Sequence, residues 1–115
     1  MKNDFLVYLD DILEAIKKIK NYTKGLDFSK FQRDSKTIDA VVRNFEVMGE
    51  AGKRIPGEAK RQSPEIPWRA MSGMRDKMIH EYSGIELEVV WKTIQEDLPV
   101  LEKQLKTLKK RYEKK

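Results

Sequence analysis

A chain of 115 residues has room for one domain and little for a second. Its 24 Lys and Arg against 19 Asp and Glu give a formal charge of +5, and a make-up of 39% apolar and 37% charged residues suits a soluble amphipathic helical domain and excludes a membrane-embedded one. Absence of Cys excludes disulfides, Cys zinc sites and thiol nucleophiles, and a single His excludes a His-based metal cluster.

Phe5, Leu9, Ile12, Ile16 and Ile19 recur at alternating steps of four and three, with Asp10, Asp11, Lys17, Lys18 and Lys20 on the other side. The spacing predicts a first amphipathic helix. Asn3 or Asp4 can cap its free N–H groups, and Gly25, which tolerates the left-handed conformation, is the expected stop. No apolar run near Met1 resembles a signal or a membrane span, so a cytoplasmic location without membrane partners is expected. Asp27 or Ser29 can then open a helical turn over Phe28 and Phe31.

Ile38, Val41, Val42, Phe45, Met48, Gly52 and Ile55 keep helical phase and predict a second helix from about Ser35 to Arg54, closed by Pro56 and Gly57. Gly49 and Gly52 lie inside it at about 1 kcal/mol each relative to Ala; close approach of another backbone and simple tolerance both account for them. A connector follows, with room for one turn around Glu58 to Arg61. Pro67 suits the first turn of a third helix through Trp68, Met71, Met74, Met78 and Ile79, which Gly84 should stop. Leu87, Val90, Trp91, Ile94, Leu98, Leu101, Leu105, Leu108 and Tyr112 define a fourth. Pro99 lies inside that pattern, where a missing N–H and a steric clash predict a kink. Trp68, Trp91 and the five Met residues fit packing better than a cofactor site.

Together these elements predict an all-α fold, an antiparallel four-helix bundle with a short extra helical turn, as a single domain over residues 1–115. Four helices on this length make a thin core, so a homodimer that buries further surface is expected.

Conventional sites are missing: no glycine-rich phosphate loop, no Gly-x-Ser-x-Gly elbow and no Ser, His and Asp set with family spacing. What remains is a polar cluster at the end of the third helix, Arg75, Asp76, Lys77, Met78, Ile79, His80, Glu81 and Tyr82, which contains the sole His. Arg75 is a permanently charged fork for phosphate, His80 exchanges a proton near neutral pH, and Tyr82 offers a hydroxyl and an aromatic face. Those parts suffice for metal-free RNA cleavage. The ribose 2′-hydroxyl attacks the adjacent phosphate, His80 moves the proton and Arg75 stabilises the added charge. A His near a helix end, a solvated Arg and a packing Tyr would look the same. At about 100° per residue, moreover, His80 is turned about 140° away from Arg75. Either the helix distorts near His80 or a second subunit contributes its own copy.

The run Gly73-Met74-Arg75-Asp76-Lys77-Met78-Ile79-His80-Glu81-Tyr82, with Ile66-Pro67-Trp68 before it and Asp97-Leu98-Pro99 after it, resembles the HepT-like branch of the HEPN proteins. Arg, four residues, His, one residue, Tyr is that family's signature. The resemblance implies a toxin of a type VII HEPN/MNT toxin-antitoxin system, a metal-independent endoribonuclease that acts as a homodimer on RNA, such as tRNA or mRNA. It implies Arg75 and His80 as the catalytic pair and Asp76 as a support for Arg75 or the nucleotide. It implies no cofactor. The implied antitoxin is an MNT-type nucleotidyltransferase that neutralises the toxin by AMPylation of Tyr82, placing negative charge where RNA phosphate must bind.

Two other classes compete with this one. A non-catalytic nucleotide-binding companion of a nucleotidyltransferase would use Arg75 and Tyr82 without cutting, and a plain dimerisation domain would leave the cluster solvated. Charge does not discriminate. Lys103 to Lys115 carries seven basic residues and one acid, a net +6, so the other 102 residues hold −1 of the total +5. This basic helical tail, 103–115, reads as a solvated helix end to which RNA can be drawn non-specifically.

Overall fold

The computed structural model describes the backbone of residues 2–80 and 86–113, and the side chains of residues 4–74 and 86–113. Helix α1 spans Lys2–Thr23 and buries Phe5, Leu9, Ile12, Ile16 and Ile19, the stripe its spacing predicts. The chain is already helical at Lys2, so Asp4 sits in the first turn, where its charge favours the dipole, and neither it nor Asn3 is the cap. Gly25 ends the segment with φ +80°, a conformation that costs a residue with a Cβ.

Asp27, not Ser29, opens the short helix α2, Phe28–Gln32, accepting the Lys30 N–H at 2.8 Å. Helix α3 is Ser35–Arg54, and its cap is Asp34, whose carboxylate accepts the Thr37 N–H at 3.1 Å and the Thr37 hydroxyl at 2.7 Å. Those two hydrogen bonds hold the Asp34 carboxyl below its ordinary pKa, the hydroxyl contributing most. After Pro56 the turn α4, Gly57–Gln62, leads to α5, Trp68–His80.

The last segment runs through α6, Leu87–Lys92, a π-helical turn, Thr93–Asp97, and α7, Leu98–Glu113. The irregularity expected at Pro99 takes the form of that turn. Pro99 offers no N–H to the Gln95 carbonyl and its ring crowds it. The turn before it widens, and the Leu98 N–H reaches the Thr93 carbonyl five residues back.

Three ties fix α7 antiparallel to α1: Lys20 to Glu102 at 2.8 Å, Lys109 to Asp10 at 2.7 Å, and the Phe5 and Tyr112 rings at 4.5 Å. Helix α3 packs on both α1 and α5, and Arg54 at its end lies 6.0 Å from the Tyr8 ring near the start of α1. The core joins the faces of all four long segments, from Leu9 and Ile16 through Phe45 to Leu98 and Leu105. Trp91 closes one end, its ring 5.1 Å from Phe31 and 6.5 Å from Phe28, so α2 is pinned to α6. The fold is an all-helical, HEPN-like bundle, with no strand among the described residues. None of the described helices is long and apolar enough to cross a membrane.

Candidate functional site on α5

The frame of the site is set at the start of α5. Pro67 stands immediately before the helix and its carbonyl accepts the Met71 N–H at 3.0 Å, the first bond of the helical ladder. Trp68 is buried, and its indole N–H donates to the Ser63 carbonyl at 3.0 Å, which locks the entry of α5 to the connector. One turn on, Met71 packs against the backbone of α3: a Cβ on Gly52 would stand 3.1 Å from its sulfur and 3.6 Å from the Ser72 hydroxyl. Of the two readings of this glycine, close approach of another backbone and simple tolerance, neither describes it fully: the approach is made by side chains of α5.

Arg75, Asp76 and His80 occupy the last two turns of α5, whose backbone is α-helical through His80. Distortion of the helix before His80 therefore does not bring Arg75 and His80 together. Their positions stay about 140° apart on one helix. Tyr82 and its neighbours Glu81 to Ile85 lie outside the described residues, as does the stop expected at Gly84.

Beside α5 runs a groove of about 430 Å³. Its floor is Phe45 and Met48 of α3, one wall is Ala70, Met71 and Met74 of α5, and the other is Leu98, Val100 and Leu101 of α7. Val100 is 57% exposed, a large apolar side chain facing water at the rim. The π turn adds Thr93 and Asp97 to the same lining. The Thr93 hydroxyl donates to the Val89 carbonyl at 2.9 Å, and the Gln104 amide donates to the Glu65 carbonyl at 3.2 Å. Sequence reasoning missed this groove. The one available signal was Val100, an apolar residue off the buried phase of Leu98, Leu101 and Leu105.

With the α5 segment placed, comparison with known proteins identifies the chain. The family model described as ribonuclease HepT-like matches residues 12–108. The chain belongs to the HepT-like family. The match leaves out only the first turns of α1 and the end of α7, and it includes the whole Arg75 to Tyr82 signature. A Thermococcus cleftensis protein named "Probable ribonuclease HepT" is 48% identical over 110 residues, 96% of this chain and 100% of that one. A candidate RNase of Caldanaerobacter subterraneus is 40% identical over 88% of this chain and 90% of its own length. Another candidate RNase, from Methanocaldococcus jannaschii, is 38% identical over 99% of this chain and 98% of its own. No solved structure matches the chain at the significance required of a relative.

Proposed function

We propose that this HepT-like chain is an endoribonuclease, the toxin of a two-gene toxin-antitoxin system, and that Arg75 and His80 are its catalytic residues. The observation that supports the reading is that Arg75 and His80, two members of the family signature, fall on the last two turns of a helix held at Trp68 and packed through Met71 against Gly52 of α3. In the proposed reaction the 2′-hydroxyl forms a bond to the adjacent phosphorus and the 5′-oxygen leaves, giving a 2′,3′-cyclic phosphate and a 5′-hydroxyl. His80 moves the proton, Arg75 stabilises the charge gathered on the phosphorane, and no metal takes part. Asp76 orients Arg75 or the bound nucleotide.

The helical phase of Arg75 and His80 supports a site assembled by a homodimer, each protomer supplying what the other's helix turns away. An apolar groove flanking α5, with Val100 on its rim, is consistent with a surface that another chain covers. The proposed antitoxin is a nucleotidyltransferase that attaches AMP units to the Tyr82 hydroxyl, which would place phosphate charge and bulk beside the catalytic pair.

The test is incubation of the purified chain with RNA in the presence of a chelator. Cleavage that leaves cyclic phosphate ends and is lost in His80→Ala supports the reading. An intact chain that binds nucleotide equally well with and without His80, and cuts nothing, would replace it with the nucleotide-binding companion. Co-expression with the adjacent nucleotidyltransferase should add AMP masses that map to Tyr82.

A further inference from the structure

Helix α7 is basic on the side it turns away from the core. Leu101, Leu105 and Leu108 are buried, while Lys103, Lys106 and Lys110 are exposed and fall within an arc of about 60° on the opposite face, rising along about 10 Å. The other cation of this stretch is spent on the fold: Lys109 points to the flank and closes on Asp10 of α1 at 2.7 Å. Lys103 and Lys110 have no ion-pair partner among the described residues. Lys106 meets Glu102 at a loose 3.9 Å, and that carboxylate is itself closed on Lys20 at 2.8 Å. Lys17 is exposed on the same side of α1 as Asp10 and Lys20, whose contacts are with α7, and it widens the stripe.

Tyr112, on the core side of α7, donates to the Gln62 side chain of α4 at 2.7 Å, so α4 lies away from the lysine stripe. Like charges aligned on one face, with Glu102 and Glu113 only at its edge, cost the isolated protein self-repulsion and are relieved by a polyanion. The segment leading into α7 has the opposite sign, with Glu86, Glu88, Glu96 and Asp97 against Lys92 alone. A phosphate chain is therefore repelled from that segment and attracted to the outer face of α7.

We propose that Lys103, Lys106 and Lys110 form a second, sequence-independent contact for the backbone of a single RNA strand, on α7 rather than on the α5 turns where its phosphate is cut. The proposal rests on the ribonuclease reading. The stripe holds the strand through phosphates alone, so it adds affinity for long RNA and leaves base selection to the α5 site.

The experiment compares the full chain with Lys103→Gln/Lys106→Gln/Lys110→Gln, a change that keeps good helix formers and removes only charge. Binding of a fluorescent single-stranded RNA is followed over a salt series in the His80→Ala background, so that the probe stays intact. The slope of log affinity against log salt should shrink by about 2, from ~0.7 per lost phosphate contact, and Lys110→Gln alone should remove about a third of that. In the cleaving chain the loss falls on KM for long RNA, with a dinucleotide too short to reach α7 as the internal reference. An unchanged salt slope overturns the proposal, including the case where the variant has instead lost affinity for an acidic partner protein. A parent chain that cuts RNA while the triple variant keeps its slope sinks the stripe alone. One that neither binds nor cuts RNA sinks the ribonuclease reading as well.

Discussion

The sulfur of Met71 lies 3.1 Å from the point where a Cβ on Gly52 would stand, so the side chain of α5 that packs on α3 fills the space a methyl group would take. Met71 also lines the groove and has space on that side to yield by a few tenths of an ångström. Gly52→Ala should therefore gain part of the helix-propensity term, up to about 1 kcal/mol, without displacing α5. Gly52→Leu has no such escape and should lose about 1 to 3 kcal/mol by overpacking. Urea unfolding of the two variants checks both signs. RNA cleavage should fall in Gly52→Leu, because the helix that shifts is the one carrying Arg75 and His80.

Positions about 140° apart on one α-helix face different ways, and this gives a test of the proposed dimeric site. Arg75→Ala and His80→Ala should each lower cleavage by about 10² to 10⁴ with little change in Tm. Co-expressed and purified as a mixed dimer, the two inactive chains should recover part of the activity, since one composite site again holds an intact Arg75 and an intact His80. Persistent inactivity of the verified mixed dimer would show that both residues must come from one chain.

Asp34 ties the stability of α3 to pH. Its carboxylate is favoured in the fold by the Thr37 hydroxyl and N–H, so its folded pKa lies below the unfolded one. The stabilisation is complete above the unfolded value of about 3.9 and is lost as pH falls through the lower folded value. Asp34→Ala should lower Tm at neutral pH and flatten the acid side of the Tm against pH curve. Thermal melts followed by circular dichroism between neutral pH and acid measure it, and parallel curves for the two proteins would contradict the assignment.

Local signals in the chain were enough for most of the helical layout. The four-and-three spacing of Phe5 to Ile19, the limits Ser35 and Arg54, the turn over Phe28 and the two tryptophans all landed where periodicity and turn chemistry put them, because burial of one face is a property a helix carries in its own sequence. Asn3 and Asp4 are good capping residues, but α1 starts ahead of both, at Lys2. Pro99 announced an irregularity and not its form, since a kink and a widened turn relieve the same clash.

For the candidate site, sequence by itself determined the family to which the chain belongs and offered the proposed residue set, Arg75, Asp76, His80 and Tyr82. It also determined that the chain's net positive charge resides in its last residues. Only the tertiary structure decided which of those cations are spent, because pairing with Asp10 or freedom on the outer face of α7 depends on how α1 and α7 cross. Only it decided that α5 rests on Gly52 beside an apolar groove, and that the helix stays regular through His80. These are relations between segments far apart in the chain, and a periodicity read within one helix carries no term for its neighbours.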